Sequence, residues 1–375
     1  MGIKILFTAD NHIGISYSSF QKAQQELLNE RMESIHTMVE YANKNEINLF
    51  VIGGDLFDKT TIQEKKIKEV AEALKKFTGD FVIVIPGNHD FFEMGDNTLW
   101  SKFIKHTNSD KIVVLSDYNI FECSVGEHTI NLFPAGCRSK HSPENNLKWI
   151  NHTSKQTDNI NIGIAHGNVT GLGIDDADQY FNMTTSELES CGLDLWLLGH
   201  IHVPFPTNEV LNDNPRLFMA GTHMPDSWKF KHSGNCWHIE IEENKNVKAK
   251  KIKPSEIQID EKEFSINSAS DLNALEQTLN NYNKSKSALR LTLRGRLDEE
   301  QSLRLKELLS ANENDFLTLE YYNHISRKID LNLINQHYPN NSLPHTLLKE
   351  LLEEDTEGIA VQKAYEILEQ LSIKQ

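Results

Sequence analysis

Cysteine is scarce in this chain of 375 residues, and long apolar runs and low-complexity tracts are missing. The four cysteines are widely spaced and form no Cys-x-x-Cys pair, which favours reduced thiols over a disulfide framework or a zinc knuckle. No apolar run approaches the ~20 residues of a membrane span. Polar Asp10, Asn11 and His12 interrupt the apolar N-terminal segment too early for a signal peptide. We therefore expect a cytoplasmic protein without membrane association.

An excess of basic residues is also lacking. The formal net charge is -16, whereas proteins that bind nucleic acid mainly by neutralising phosphates are usually basic. Any nucleic-acid binding must therefore depend on local patches, on bound metal ions or on a partner. The main basic patch is a lysine cluster that fits a solvated hairpin better than a DNA contact. Its members are Lys245, Lys248, Lys250, Lys251 and Lys253.

The order of apolar runs predicts an α/β protein with more than one domain. Over residues 1–253, short strand-like runs alternate with amphipathic helical segments. Residues 254–260 have the composition of a linker, and the pattern up to residue 325 predicts a small domain of two strand-helix-strand units. Residues 326–375 end in an amphipathic helical segment. We expect domains at 1–253, 254–325 and 326–375.

Five polar clusters each follow the end of a predicted strand. They are Asp10-x-His12, Gly54-Asp55, Asn88-His89-Asp90, His166-Gly167 and His200-x-His202. Taken singly, an Asp-x-His is more often a surface feature, a Gly-Asp is a common turn, and a lone histidine can be a satisfied core residue. However, the carboxyl ends of neighbouring parallel strands lie at one edge of a sheet, where α/β folds keep their ligand sites. Five clusters at this place therefore predict a common site.

The residue types in these clusters indicate a metal centre. Carboxylate, amide and imidazole donors suit Mn, Fe or Zn better than Mg or Ca alone, and the lack of cysteine argues against a structural zinc site. Two metal ions about 3.5–4 Å apart, bridged by a shared carboxylate, are the common device for phosphoester hydrolysis. One ion lowers the pKa of a bound water, and both stabilise charge on the phosphoryl oxygens.

The set D-x-H, G-D, G-N-H-D, H-G and G-H-x-H resembles the calcineurin-like metallophosphoesterase superfamily over residues 3 to about 225. The resemblance implies a β-sandwich flanked by helices, in four α/β/β/α layers, followed here by a small α/β capping domain and C-terminal helices. It implies that the first metal ion binds Asp10, His12, His202 and a bridging Asp55. The second ion would bind the same Asp55 together with Asn88, His166 and His200.

The resemblance also assigns two catalytic roles outside the metal ligands. His89 would lie near the scissile phosphate and stabilise or protonate the leaving group. Asp90 would hold the His89 ring in one orientation and tautomer, which is the usual function of a carboxylate beside an imidazole. These two residues complete the predicted site.

Within the superfamily, two stretches are similar to the SbcD-type DNA-repair exonucleases. They are residues 53–58, Gly-Gly-Asp-Leu-Phe-Asp, and residues 191–202, which end in Gly-His-Ile-His. Asp58 is followed by Lys59 and Thr60 rather than by the Arg-Gly of serine/threonine protein phosphatases, and in one nuclease branch a histidine occupies the place of Asp58. This resemblance implies a DNA exonuclease that depends on two divalent metal ions and that could also act as an endonuclease. We expect Mn²⁺, with Mg²⁺, Fe²⁺ or Zn²⁺ as alternatives.

The resemblance further implies partners. These are DNA, an SMC-like ATPase of the SbcC type that binds the C-terminal helices, and a second copy of the chain bound through helices 61–77 and 97–106. The processes would be DNA end processing, repair or phage defence, with the protein at the nucleoid when it is bound to DNA. Packing on their own sheet is the alternative explanation of the apolar faces of helices 61–77 and 97–106, and the resemblance favours the dimer.

Two other functions remain open. A phosphodiesterase or phosphatase could use the same centre on small molecules such as nucleotides, although a small substrate needs no additional domain of about 70 residues. A catalytically silent scaffold for DNA or the ATPase has no support, because all the expected ligands and His89 are present. His223 and His232, shortly after the last motif, are expected to be bystanders.

Overall fold

The computed structural model describes residues 2–155, 158–172, 179–229, 232–354 and 358–372. The chain divides into two compact units, Met1–Ile257 and Gln258–Gln375. Within the described ranges, none of the helices combines the length and the apolarity that crossing a bilayer requires.

The first unit contains most of the strands. They are β1 (Ile3–Thr8), β2 (Leu49–Ile52), β3 (Phe81–Val84), β4 (Ile112–Val114), β5 (Phe121–Val125), β6 (His128–Ala135), β7 (Ile160–His166), β8 (Leu195–Gly199), β9 (Val210–Leu211), β10 (Leu217–Met219), β11 (Cys236–Ile241) and β12 (Val247–Ile252). Its helices are α1 (Gln24–Lys44), α2 (Glu64–Leu74), α3 (Leu99–Thr107), α4 (Lys148–Asn151) and α5 (Thr185–Ser190).

These strands form two sheets. The first has the order β4-β3-β2-β1-β11-β12-β9, and β1 to β4 are parallel. The second has the order β10-β8-β7-β6-β5 and is parallel except for the β5–β6 pair. Since β1, β2 and β3 are parallel, their carboxyl ends share one edge of the first sheet, and the ends of β7 and β8 share an edge of the second.

Apolar side chains cover both faces of the two sheets. One core lies between the sheets and includes Phe7, Ile83 and Leu197. A second core joins the first sheet to α1, α2 and α3, and a third joins the second sheet to α4 and α5. Burial on both faces explains why strands such as β2 and β3 have continuous apolar sequences. The mixed α/β fold is therefore as predicted.

The second unit is a three-stranded parallel sheet with helical connections. Its elements are β13 (Gln258–Ile266), α6 (Ala269–Asn280), a 3₁₀ turn (Lys284–Lys286), β14 (Ser287–Leu297), α7 (Glu299–Asn312), β15 (Thr318–Arg327), α8 (Leu331–His337), α9 (Leu343–Glu354) and α10 (Ile359–Ser372).

The β13-β14-β15 sheet is formed by two strand-helix-strand units. Leu289, Leu291 and Leu293 of β14 pack in the core with α6 and α7, whereas the alternate residue Arg290 pairs with glutamates on both neighbouring strands. Residues 258–260, expected as linker, instead belong to β13, because they pair with β14. The capping role of this unit stays a prediction.

The helices expected to form a dimer use most of their apolar side chains inside the chain. On α2 and α3, residues such as Val70, Trp100 and Phe103 are buried in the core against the first sheet. Ile104 of α3 is the exception, with 49% of its surface exposed. The apolar faces therefore have a sufficient explanation within one chain, and homodimerisation stays a prediction.

Candidate metal centre

The predicted ligands lie together where strands from both sheets end. Asp10, His12, Asp55 and Asn88 follow β1, β2 and β3, whereas His166 ends β7 and His200 and His202 follow β8. Asp10 and Asp55 are almost fully buried, although a carboxylate is strongly hydrated in water. Within the described ranges, no lysine or arginine forms an ion pair with either carboxylate. Their charge is therefore balanced by the surrounding imidazoles or by a cation.

The first group of donors consists of Asp10, His12 and His202. Nε2 of His12 lies 3.2 Å from Nε2 of His202, which is 3.9 Å from Oδ1 of Asp10. One ligand atom from each of the three residues lies within 4.8 Å of the other two. The three ligand atoms are therefore close enough to bind one metal ion together.

The second group consists of Asn88, His166 and His200. Oδ1 of Asn88 is 3.0 Å from Nε2 of His166 and 3.0 Å from Nδ1 of His200. Asp55 connects the two groups, because its Oδ2 lies 3.3 Å from Nε2 of His166 and 3.7 Å from Nε2 of His12. A single carboxylate oxygen thus faces both sets of donors.

These separations fit metal coordination. Two nitrogen ligands about 2.0–2.1 Å from one ion, at an angle between 90° and 110°, lie about 2.8–3.4 Å apart. The His12–His202 distance falls in this range. Nδ1 of His166 contacts the carbonyl oxygen of Gly53 at 2.9 Å, so Nδ1 carries the ring proton and Nε2 is free to bind metal. The cluster is therefore a plausible dinuclear metal site.

Burial and proximity shift the titration of these groups when no cation lies between them. Burial raises the pKa of Asp10 to about 6. Burial alone would lower the pKa of His166, but the adjacent Asp55 carboxylate raises it to about 9, and His166 in turn holds the pKa of Asp55 below its usual range. The pKa of His200 falls to about 3 because of burial and the nearby His166 charge. Metal binding must displace the His166 proton, so affinity should rise with pH.

The loops that carry the ligands have an unusual backbone. Asp10, His12, Asp55 and His200 all have positive φ angles, 51°, 42°, 52° and 92°. Non-glycine residues adopt this conformation rarely, and it is concentrated at functional sites. At His200 it lets the backbone N–H donate to both carboxylate oxygens of Asp10, at 3.0 and 3.1 Å. The local conformation therefore links the ends of the two sheets.

Gly54 allows the two sheets to approach closely at the site. Its φ angle is +95°, and a Cβ atom there would lie 2.3 Å from Nδ1 of His166. Any other residue would meet both a backbone penalty and a clash with a predicted ligand. The glycine before Asp55 is thus required by the site geometry.

His89 lies at the border of the donor cluster. Its backbone N–H donates to Oδ1 of Asp55 at 2.8 Å, and its ring packs edge-on against His12 with centroids 4.7 Å apart. One nitrogen of the His89 ring lies within 4.8 Å of ligand atoms of His12 and Asp55. The ring is held by Nδ1, which lies 3.0 Å from the carbonyl oxygen of Asp58.

The prediction that Asp90 orients the His89 ring is wrong. The Asp90 carboxylate is fully buried and accepts backbone N–H groups on both oxygens, from Gly87 at 2.7 Å and from Phe57 at 3.0 Å. Asp90 therefore holds the loops around β2 and β3 together, and the Asp58 carbonyl holds the ring. Side-chain patterns contain no information about a carbonyl acceptor, which explains the error.

Three residues beside the cluster were not predicted from the sequence. Oδ2 of Asp226 lies 2.9 Å from Nδ1 of His202, the guanidinium of Arg31 is buried behind the loop after β1, and the Tyr180 ring lies 5.2 Å from the His200 ring. All three come from loops or from a helix interior rather than from a strand end, so the strand-end pattern could not identify them.

The two histidines expected to be bystanders make backbone and side-chain contacts next to the cluster. The buried His223 ring contacts the Asn11 side chain at 3.0 Å. The His232 ring contacts the backbone carbonyl of His202. Both rings support neighbouring loops.

Comparison with known proteins identifies the class. A model of the calcineurin-like phosphoesterase family matches residues 3–204, more than half of the chain, and the chain belongs to this family. The matched range contains all seven predicted metal ligands, from Asp10 to His202.

One curated relative has a low sequence identity to this chain. The chain is 25% identical over 172 residues to YhaO of Bacillus subtilis (strain 168), an uncharacterised metallophosphoesterase. The match covers 45% of this chain and 40% of YhaO, so the chain spans less than half the length of that relative.

Among solved structures, similar folds include YfkN, a calcineurin-like phosphoesterase from Bacillus subtilis. It shows 14% identity and a TM-score of 0.43, with 75% of this chain and 97% of that chain covered. A dimetal phosphatase from Danio rerio shows 14% identity and a TM-score of 0.40, with coverages of 68% and 99%.

Proposed function

We propose that this chain is a two-metal-dependent DNA nuclease that hydrolyses phosphodiester bonds. The observation that carries the proposal is the position of Asp55 Oδ2, which faces both donor groups, at 3.3 Å from His166 and 3.7 Å from His12. Two divalent ions bound there, with Mn²⁺ expected, would supply a nucleophilic water near neutral pH and stabilise charge on the phosphoryl oxygens.

Each predicted ligand presents one defined atom to its cation. Asp55 is shared between the two ions. Nε2 of His12 and His202 and a carboxylate oxygen of Asp10 would hold the first ion, whereas Oδ1 of Asn88, Nε2 of His166 and Nδ1 of His200 would hold the second. The backbone contacts at Gly53 and Asp58 fix the rings of His166 and His89 before any substrate arrives.

His89 is the residue that we assign to the leaving group. The Asp58 carbonyl can only accept a hydrogen bond, so Nδ1 of His89 carries a proton and Nε2 is the ring nitrogen left to face the substrate. With a proton on Nε2 as well, the ring can donate to a phosphoryl or leaving-group oxygen beside the cations. Its contact with His12 keeps it at the border of the site.

Two features favour DNA over a small ester. Residues 53–58 and 191–202 are similar to the SbcD-type exonucleases, and the chain carries a second compact unit, residues 258–375, that a small substrate does not need. With a net charge of -16, binding of DNA would depend on the bound cations and on local basic groups.

The ATPase partner would bind the C-terminal helices. Leu343 and Leu347 on α9 and Ile359, Ile367 and Leu371 on α10 are exposed large apolar side chains. Other apolar residues of these helices, such as Leu348 and Val361, pack in the core of the second unit. We propose that the exposed set docks on an SbcC-type ATPase.

The test uses purified full-length protein with Mn²⁺ and three substrates: linear DNA, hairpin DNA and a chromogenic phosphodiester. Wild type, His89→Ala and the matched control His152→Ala are compared, with and without an SbcC-type ATPase. His152 is an exposed histidine at the end of α4. We expect wild type and His152→Ala to cleave DNA and His89→Ala to lose most of this activity.

The same experiment separates the alternative functions. Turnover of the chromogenic ester without DNA cleavage, even with the ATPase present, would overturn the nuclease proposal in favour of a small-molecule phosphodiesterase or phosphatase. DNA binding without hydrolysis of any of the three substrates would instead support a non-catalytic scaffold.

A further inference from the structure

His202 is held at both of its ring nitrogens. Nδ1 lies 2.9 Å from Oδ2 of Asp226, and Nε2 faces the donor cluster at 3.2 Å from Nε2 of His12. Because the Asp226 carboxylate accepts a hydrogen bond, Nδ1 carries the proton and Nε2 keeps the lone pair that a cation requires. This contact therefore selects the metal-binding tautomer of His202.

Asp226 lies in an irregular loop after β10 whose backbone is fixed by a buried network. The Tyr17 hydroxyl donates to the carbonyl oxygen of Pro225 at 2.9 Å. Arg31 of α1 donates to that hydroxyl at 2.8 Å and to the hydroxyl of Thr222 at 3.1 Å. The network thus connects α1 to the loop that carries Asp226.

The same arginine also holds the loop that carries the first two ligands. Its Nε donates to the carbonyl oxygen of Asn11 at 2.9 Å, and Asn11 lies between Asp10 and His12. Arg31 is only 1% exposed. In the described part of the chain, its hydrogen-bond acceptors are neutral: two backbone carbonyls, of Asn11 and Met224, and two hydroxyls.

Burying a guanidinium away from any carboxylate costs free energy of folding, unless hydrogen bonds replace those that water made. Here its hydrogen bonds connect two loops that are more than 200 residues apart in sequence, one with Asp10 and His12 and the other with Asp226. The charge of Arg31 therefore lies between the loop that carries Asp10 and His12 and the loop that carries Asp226.

We infer that Asp226 and Arg31 are positioning residues of the first cation site. Asp226 fixes the tautomer and direction of His202, and Arg31 holds the two loops at the separation that one cation needs. The inference rests on the dinuclear site of the proposed function but is independent of its substrate.

The direct test is Mn²⁺ affinity, measured by calorimetric titration of full-length protein after chelation. Loss of a carboxylate behind a ligating histidine typically weakens metal binding about 10–100-fold, and we expect this loss for Asp226→Ala. Asp226→Asn should fall between wild type and Asp226→Ala, since its amide oxygen still accepts from Nδ1 but carries no charge. Arg31→Lys keeps the charge but cannot bridge both loops, so it should also weaken binding.

Asp194 provides the matched control. Its side chain is 23% exposed, against 12% for Asp226. Like Asp226 it bonds a basic side chain, that of Lys245, and it accepts in addition from the backbone N–H of Asn161. These contacts lie outside the donor cluster. Asp194→Ala should therefore bind Mn²⁺ as wild type does, and circular dichroism of each variant checks that it is folded.

A spectroscopic readout separates positioning from general stability. Long-range ¹H–¹⁵N NMR of the metal-free protein should show His202 protonated at Nδ1 in wild type and at Nε2 in Asp226→Ala, with His202→Gln assigning the signal. A folded Asp226→Ala with wild-type Mn²⁺ affinity and an unchanged tautomer would overturn the inference. Weaker Mn²⁺ binding by Asp226→Ala, combined with a wild-type protein that does not cleave DNA, would refute only the nuclease proposal.

Discussion

Removal of the Asp90 carboxylate should destabilise the first unit and leave the orientation of the His89 ring unchanged. The carboxylate accepts buried backbone N–H groups from Gly87 and Phe57, at 2.7 and 3.0 Å. Asp90→Ala leaves both donors without this acceptor, at about 1–3 kcal/mol each. Burial and the neighbouring Asp55 raise the pKa of Asp90 to about 8, so near neutral pH the group is largely protonated and accepts these hydrogen bonds as a neutral acid. We therefore expect the lower part of the summed range, about 2–4 kcal/mol less free energy of unfolding.

Urea unfolding of the metal-free protein, followed by tryptophan fluorescence, measures this loss. Trp100 is a suitable reporter, because it is buried beside the loop and its indole N–H donates to the backbone carbonyl of Asp90. Asp90→Asn retains one acceptor oxygen and should lose about half as much stability as Asp90→Ala. Suppose that Asp90→Ala unfolded like wild type but no longer hydrolysed phosphodiesters. The backbone role of Asp90 would then be refuted, and the hypothesis that Asp90 orients the His89 ring would be favoured again.

Three further predictions concern Asp55, Gly54 and His238. Asp55→Ala should bind fewer than two cations, measured as the metal content of gel-filtered protein, and two retained ions would contradict the bridging role. Gly54→Ala should displace His166 and reduce metal content. Gly126→Ala is the control, because Gly126 also has a positive φ, 59°, but nothing lies within 4 Å of the added Cβ. This variant should show only the backbone penalty of about 1–2 kcal/mol. Burial lowers the pKa of His238, so its protonation favours the unfolded chain, and stability should fall as pH drops below about 6.5. His238→Gln should reduce that acid dependence in unfolding titrations, and an identical pH profile would contradict the assignment.

Strand periodicity and local motifs determined much of the fold and of the site. Parallel strands must bring their carboxyl ends to one edge, so the clusters after β1, β2 and β3 were expected to meet, and the structure places Asp10, Asp55 and Asn88 together. The alternation of strands and helices likewise predicted the strand-helix-strand units of residues 258–327. These features depend on short stretches of sequence, where side-chain pattern and conformation are directly linked.

Only the tertiary structure decided which groups support the ligands. The carbonyl of Asp58 holds His89, and Asp226 holds His202, although no pattern in the sequence connects either pair. The Arg31 contacts join segments about 190 residues apart, and main-chain carbonyls are acceptors at every position of every sequence. The roles of Asp58, Asp226 and Arg31 depend on the direction that each loop takes beyond the end of its strand. The sequence by itself therefore determined which residues meet at the metal centre, and tertiary packing determined which neighbours hold them in place.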